Sequence, residues 1–270
     1  LSPIKGSPAE EAGVKPGDYI TEINGVSVVG VSLEEVASRL KGITGSTVDV
    51  KFVRYNASGD EEIIEKKLPR RKVELTSFEY KMLDGNMGYI SFSSFDENVT
   101  EKFDEATKEL FKKKKAKGLI LDLRNNPGGL LSVAADVADK LLPTGRIVYT
   151  VDKNGNEETL YSDSNFIDVP IVVIVNENSA SASEILAAAL KDYGWQVVGT
   201  TTYGKGLVQE FKSLRDGTYV KVTISEYFSP NGNSINEKGV EPTVKVEQNE
   251  ETEEDEQLNK AIEEMKKLIK

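Results

Sequence analysis

The chain has 270 residues, of which 34 are Lys or Arg and 45 are Asp or Glu, so its formal net charge is −11. That length fits one large domain or two modest ones, and 38% apolar with 29% charged residues is typical of a globular protein. Histidine and cysteine are both absent, which excludes disulfides, Ser-His-Asp and Cys-His catalysis, and zinc sites built from imidazole or thiolate.

The first 70 residues predict a compact unit. The hairpin pair Asn24-Gly25 and the capping box that begins at Ser32 give it two clear local signals. The predicted elements are helices at residues 7–13 and 32–41 and strands at residues 19–23, 47–54 and 62–68. Residues 69–72 mark a domain boundary.

The rest of the chain alternates strands and helices. We predict strands at residues 87–92, 119–123, 147–151, 171–175 and 196–199, and helices at residues 101–115, 130–142, 181–190 and 258–269. Residues 171–175 are a continuous β-branched run of the kind that is buried on both faces. This alternation predicts an α/β core with parallel strands.

Much of the negative charge lies near the C-terminus. Residues 247–256 hold seven carboxylates and no basic residue, and without them the net charge of −11 falls to −4. Such a run is typical of a solvated linker. Because no basic stripe with interleaved aromatic residues occurs, we expect no nucleic-acid partner.

Two segments share the order of a buried strand, a tight loop of small residues and a helix. Residues 119–123 lead through Arg124–Gly129 into one helix, and residues 171–175 lead through Asn176–Ser183 into another. Parallel sheets bind ligands beyond the carboxyl ends of their strands, where helix N-termini offer N–H groups that can stabilise an oxyanion. The pair Gly128-Gly129 allows close backbone approach to a substrate, although a tight turn alone also explains it.

The second loop carries Ser179, Ser181 and Ser183, and a serine is a weak nucleophile until a base takes its proton. Without histidine the candidate bases are a carboxylate or a lysine, and a lysine can serve if burial depresses its pKa. Lys205 lies between two glycines before an apolar strand, and Gln209 falls on the same side of an extended chain. The alternative is that Lys205 is a loop lysine and Ser181 a helix cap.

Together these blocks resemble a known family. Ser179–Ile185 followed by Tyr203–Gln209 is closely similar to the signature of the carboxy-terminal processing peptidases, also called tail-specific proteases. Asp122–Gly129 and Ser229–Gly232 resemble further blocks of that family in the expected order. Ser7–Asp18 resembles the middle of the PDZ domain that precedes its protease core.

The resemblance implies a role for individual residues. Ser181 is the nucleophile, Lys205 the general base and Gln209 the glutamine that follows the base. The backbone N–H groups of Ala182 and Gly129 are the oxyanion donors, and Ser179 and Ser183 are structural, as turn and helix-capping hydroxyls. The implied activity is that of a serine endopeptidase that cleaves proteins near their C-terminus through an acyl-enzyme, with no cofactor and no metal.

The resemblance also implies three regions. Residues 1–71 form a partial PDZ domain, residues 72–246 a crotonase-like protease core of mixed, partly parallel sheet and helices, and residues 247–270 an acidic linker with a C-terminal helix. The carboxylate-binding loop and peptide-pairing strand usual in such PDZ domains would fall before Leu1. We therefore expect an upstream part to be missing, and the resemblance does not extend to capture of a substrate tail by this portion.

The expected partners are protein substrates with flexible apolar C-terminal tails, and a homo-oligomer is left open. The expected location is outside the bacterial cytoplasm, with a signal or membrane anchor upstream. Two other classes stay open: a pseudo-enzyme or binding module with the dyad held apart, and an unrelated acyl-transfer enzyme of crotonase-like shape. Labelling of Ser181 by an acylating probe argues against the first, and a thioester assay detects the second.

Overall fold

The computed structural model describes residues 3–4, 6–55, 59–73, 78–215, 217–249, 252 and 254–269. The chain divides into two compact units, residues 1–75 and residues 76–270, and each has a hydrophobic core of its own. Within the described residues, no helix combines the length and the apolar character needed to cross a lipid bilayer.

The first unit is a four-stranded antiparallel sheet with two short helices. Its elements are α1 (Pro8–Glu11), β1 (Tyr19–Ile23), β2 (Val26–Ser27), α2 (Leu33–Leu40), β3 (Thr47–Tyr55) and β4 (Glu61–Pro69), in the strand order β2-β1-β3-β4. The β1–β2 turn forms because Asn24 and Gly25 both adopt positive φ, at 50° and 76°. Ser32 caps α2, since its hydroxyl accepts a hydrogen bond from the Glu35 N–H.

The second unit alternates strands and helices. Its elements are β5 (Phe78–Leu83), β6 (Met87–Phe92), α3 (Val99–Thr107) with a π-helical turn (Lys108–Lys113), β7 (Gly118–Asp122), α4 (Leu131–Asp139), β8 (Gly145–Asp152), β9 (Glu157–Ser162), β10 (Ile171–Val175), α5 (Ala182–Asp192), β11 (Gln196–Gly199), β12 (Leu207–Ser213), β13 (Tyr219–Phe228), β14 (Val244–Lys245) and α6 (Glu256–Leu268). Six strands form a sheet of order β14-β11-β10-β7-β6-β5, in which β5 runs antiparallel and the other neighbours are parallel. This mixed α/β architecture confirms the predicted fold class.

Helices cover both faces of the six-stranded sheet. Leu119, Leu121 and Val173 face a core that they share with α3, α4 and α5. Ile120 and Val172 face a smaller core that they share with α6. Every residue of β7 and β10 is buried, which confirms that the apolar run of β10 is a strand packed on both faces.

A second, antiparallel sheet of order β12-β13-β8-β9 belongs to the same unit. Strand β13 pairs with β12 through residues 219–226 and with β8 through residues 225–228. The turn end of the β12–β13 hairpin is mostly exposed, whereas the opposite end, where β12 begins and β13 finishes, is partly buried. Lys205 precedes β12 at this partly buried end.

Departures from the predicted elements include one strand and one helix. Strand β5 is absent from the prediction although its sequence alternates apolar Phe78, Tyr80 and Met82 with polar residues; it is the edge strand of the sheet, and its side chains are half-buried or exposed. The helix predicted over residues 101–115 begins at Val99 and becomes π-helical after Thr107. There the Lys114 N–H donates to the Glu109 carbonyl, five residues back.

The acidic C-terminal segment is less separate than its composition indicates. Helix α6 packs on the six-stranded sheet and belongs to the second unit. Asp255 caps this helix by accepting the Leu258 N–H, and its Oδ1 lies 2.7 Å from Nη1 of Arg124. Arg124 also forms an ion pair with Asp122 at the end of β7. The prediction of a solvated linker is therefore wrong for Asp255, whose carboxylate ties the segment to the core.

The packing of α6 gives a stability prediction. Met265→Ala should lower the free energy of unfolding of the second unit by about 2–5 kcal/mol, since Met265 is fully buried against the sheet and its truncation leaves a cavity. Urea unfolding followed through the fluorescence of Trp195, which packs against the larger core of this unit, measures the change. The exposed neighbour Lys266 is the control, and Lys266→Ala should change stability by less than about 0.5 kcal/mol. Equal effects of the two variants would contradict the place of α6 in the core.

Candidate active site

All five residues predicted to form a site line one pocket of about 270 Å³ in the second unit. They are Ser181, Ala182, Lys205, Gln209 and Gly129. The remaining lining residues are mostly apolar: Leu130, Leu131, Ile185, Leu207, Val208, Lys221 and Tyr227. The structure thus brings together residues that lie up to 80 positions apart in the chain.

Ser181 occupies a sharp turn between β10 and α5. Its backbone adopts φ 56° and ψ −115°, a conformation that residues with a side chain rarely take and that costs about 1–3 kcal/mol. A strained strand-to-helix turn of this kind exposes a serine hydroxyl at the edge of the sheet in α/β-hydrolases. Gly128 packs directly against the turn, because a Cβ there would lie 2.7 Å from the Ala180 oxygen and 2.8 Å from the Ser181 Cβ.

The loop that contains Gly128 is held in place by Asn126, which is fully buried. The Asn126 amide donates to the Phe92 carbonyl at 2.8 Å and accepts the Gly128 N–H at 2.9 Å. Gly129 then passes so close to the chain at Phe95 that a Cβ would lie 2.5 Å from the Phe95 oxygen. These contacts explain the glycine pair as a requirement for close backbone packing.

Two backbone N–H groups of pocket residues indicate which chemistry the pocket can support. Neither the Gly129 N–H nor the Ala182 N–H donates to an acceptor in the part of the chain that the structure describes. Ala182 is the first residue of α5, where a helix has unsatisfied N–H groups and a positive dipole end. Two such donors beside a serine can stabilise an oxyanion.

The serines that flank Ser181 join the two loops. Ser179 and Ser183 are both fully buried. The Ser179 hydroxyl donates to the Leu123 carbonyl and the Ser183 hydroxyl to the Asn126 carbonyl, each at 2.8 Å. Both are therefore structural, and the hydroxyl of Ser183 bridges the loops rather than capping the helix.

Glu184 is the central polar residue of the site, and its carboxylate is fully buried. Oε2 accepts the backbone N–H of Ser181 at 2.8 Å and that of Lys205 at 2.9 Å. Oε1 accepts the Gly204 N–H and the Thr202 hydroxyl, both at 2.6 Å. One carboxylate thus fixes both the turn at Ser181 and the segment that carries Lys205. Its position three residues after Ser181 is that of a capping-box glutamate, a signal by which sequence reasoning could have found it.

Lys205 and Gln209 reach the pocket from one segment. Gly206 follows Lys205, and its carbonyl accepts the Tyr227 N–H at 3.0 Å, which joins the segment to β13. The Gln209 side chain is largely exposed, and its Nε2 lies 3.5 Å from the Thr223 Oγ1. Both residues line the pocket, and the roles predicted for them stay predictions.

Tyr227 is a residue of the pocket that sequence reasoning missed. Its side chain is 2% exposed, and among the described residues its hydroxyl has no hydrogen-bond partner. Burial raises the pKa of Tyr227 and the charge of Glu184 adds to the rise, while the neighbouring Ser181 side chain opposes it. No local pattern distinguishes this tyrosine from the nine others in the chain.

The pocket combines a serine on a strained strand-to-helix turn with a lysine and two open N–H groups, an arrangement that can support nucleophilic catalysis without histidine. The model of peptidase family S41 matches residues 86–246, and a PDZ domain model matches residues 1–54. The chain belongs to peptidase family S41. This membership confirms the predicted resemblance.

Two relatives of the chain have names that fit this family. The chain is 38% identical over 250 residues to carboxy-terminal processing protease CtpA of Bacillus subtilis, covering 92% of this chain and 53% of that protein. It is 39% identical over 254 residues to the carboxyl-terminal-processing protease of Synechocystis sp., covering 92% of this chain and 58% of that protein. The chain thus spans little more than half the length of these curated relatives.

A solved structure extends the likeness to three dimensions. The photosystem II D1 C-terminal processing protease matches with a TM-score of 0.62 at 36% identity. The match covers 91% of this chain and 67% of that chain.

The contacts of Glu184 predict a large effect of one conservative change. Glu184→Gln should lower the free energy of unfolding of the second unit by at least about 2 kcal/mol, since its amide nitrogen would face N–H or O–H donors and leave buried groups without an acceptor. Chemical denaturation measures the loss. Glu158→Gln, at an exposed residue of β9, is the matched control and should be close to neutral. A Glu184→Gln variant as stable as that control would refute the role of the carboxylate.

Proposed function

We propose that this chain acts as a serine endopeptidase that cleaves protein substrates near their C-terminus. The observation that carries the proposal is the meeting of Ser181, Lys205 and the two open N–H groups on one pocket. The site of cleavage is supported by the relatives, which are named carboxy-terminal processing proteases.

In the proposed mechanism, the neutral amine of Lys205 takes the proton of the Ser181 hydroxyl as Oγ bonds to a peptide carbonyl carbon. The N–H groups of Ala182 and Gly129 stabilise the resulting oxyanion. The C–N bond then breaks, and Lys205 returns its proton to the leaving amine, which leaves an acyl-enzyme. Water attacks this ester, gives a proton to Lys205, and releases the carboxylic acid as Oγ regains its proton. Gln209 orients the Lys205 amine.

The walls of the pocket support a substrate with apolar side chains. Leu130, Leu131 and Ile185 line it beside Ser181. A flexible tail with apolar residues would bury those side chains here, and each buried methylene contributes about 0.8 kcal/mol. We therefore propose unstructured, apolar C-terminal tails as the substrate class.

The first test is cleavage of a fluorescently labelled, unstructured polypeptide with an apolar C-terminus. The parent chain should cleave it, and Ser181→Ala should abolish cleavage because the nucleophile is gone. Lys205→Ala should lower kcat/KM by about 10²- to 10⁴-fold, the usual contribution of a general base. Gln209→Ala should weaken cleavage less, since this side chain only orients the base.

The control for the base is Lys238→Ala, at an exposed lysine outside the pocket lining, which should keep the activity of the parent chain. Circular dichroism of each variant verifies the fold. Cleavage that persists in Lys205→Ala would refute the assignment of the base, and cleavage that persists in Ser181→Ala would refute the nucleophile.

A second test concerns the oxyanion donors. Gly128→Ala should lower kcat by about 10²- to 10³-fold, since a Cβ there collides with the backbone at Ala180 and Ala182 and displaces both donors. Gly194→Ala is a close control, because Gly194 has a similar φ of 94° but no atom within 4 Å of the position that a Cβ would take. Both variants should lose stability from the strain of a positive φ, Gly128→Ala the more because of the collision, and only Gly128→Ala should lose activity under conditions in which both are folded. Equal kcat values would contradict this placement of the donors.

A further inference from the structure

The hydroxyl of Tyr227 is a buried polar group that the mechanism above does not use. A hydroxyl removed from water without a hydrogen bond costs about 1–3 kcal/mol in proteins. Tyr227 is 2% exposed and its hydroxyl has no partner among the described residues, although its ring lines the pocket that holds Ser181 and Lys205. A phenylalanine would fill the same space without that cost. The hydroxyl therefore needs an explanation other than packing.

The backbone around Tyr227 fixes the ring in this position. Its N–H donates to the Gly206 carbonyl, next to Lys205, and β13 pairs with β8 at Thr150. The ring is part of the larger core, so it has little freedom to turn its hydroxyl elsewhere. The strand thus holds a polar atom at the pocket beside the residues proposed to react.

We propose that Tyr227 is a further catalytic residue, whose hydroxyl donates a hydrogen bond to the Ser181 Oγ during the reaction. This inference rests on the proposed function. As the Oγ–H bond breaks and the proton passes to Lys205, negative charge grows on Oγ, and the phenol stabilises it while keeping its own proton. When the acyl-enzyme ester breaks, the same hydrogen bond stabilises the departing Oγ until Lys205 returns a proton to it.

The properties of the site fit this role. Burial and the charge of Glu184 raise the pKa of Tyr227, so the phenol stays protonated and able to donate at neutral pH. Catalytic hydrogen bonds are often long or poorly aligned without substrate and tighten in the complex, so the phenol can bond to Ser181 during the reaction although its hydroxyl has no partner among the described residues. The phenol is also rigidly held, so little reorganisation is needed when charge develops.

The test is Tyr227→Phe, which removes the oxygen alone. We expect kcat to fall by roughly 10- to 100-fold with KM nearly unchanged, as for the loss of a hydrogen bond to a charged group. The rate of covalent labelling of Ser181 by a fluorophosphonate probe should fall to a similar extent. The midpoint of urea unfolding should stay the same or rise, because a buried hydroxyl without a partner is removed.

Tyr193→Phe is the matched control. Tyr193 follows α5 at the end remote from Ser181, and its hydroxyl donates to the Arg146 carbonyl at 3.2 Å. This variant should lose a little stability and keep the parental kcat and labelling rate. Tyr227→Phe should therefore lose activity and keep its stability, whereas Tyr193→Phe should lose some stability and keep its activity.

The outcomes separate the inference from the function on which it rests. If the parent chain cleaves and is labelled, and Tyr227→Phe matches it in kcat and labelling rate, the inference is wrong and the proposed function stands. If Tyr227→Phe loses stability in step with activity, the hydroxyl is structural and the inference is again wrong. If the parent chain neither cleaves nor reacts with the probe at Ser181, the proposed function fails and the inference fails with it.

Discussion

The carboxylate of Glu184 accepts four hydrogen bonds from two segments of the chain, and the geometry of the candidate site depends on it. Two of the donors are the backbone N–H groups of Ser181 and Lys205, which share Oε2. A fully buried carboxylate is costly unless its lone pairs are satisfied, and here the two oxygens accept two hydrogen bonds each. The bond from the Ser181 N–H helps to hold the unfavourable backbone conformation of Ser181, and the same oxygen holds the neighbouring segment through the Lys205 N–H.

The second constraint is the parallel pairing of β7 with β10. Because neighbouring parallel strands end at the same edge of a sheet, the loops that follow them must meet there. The backbones of the two loops are in direct contact. A Cβ on Gly128 would collide with Ala180 and Ala182, and the Ser183 hydroxyl donates to the Asn126 carbonyl of the other loop. The position of the site therefore follows from the sheet topology, and glycine occurs where the two backbones are in contact.

The sequence predicts those parts of the molecule that short-range patterns determine. The buried run of β10 and the two strand-loop-helix segments follow from period and composition, and the five site residues follow from the resemblance of the small-residue blocks to a family signature. Glu184 is missed as an acceptor because its partners near Lys205 lie about 20 residues away, beyond any local pattern, although its capping-box position is a usable signal. Tyr227 carries no signal, since only the pairing of β13 with its neighbours brings that ring to the pocket. Asp255 is read as solvated for the same reason: its partner Arg124 is 131 residues away.

The absence of histidine makes the saturation of Glu184 important for the chemistry. An acidic group bonded to the amine of a lysine favours the charged form of that amine, which cannot act as a base. Glu184 instead binds the backbone of Lys205, together with Ser181, Gly204 and Thr202, and in the described part of the chain no carboxylate forms an ion pair with the Lys205 amine. The carboxylate can thus position the lysine segment without accepting a hydrogen bond from its side chain. An uncharged neighbour such as the Gln209 amide is compatible with the same requirement, because it carries no net charge that would favour the charged form of the Lys205 amine.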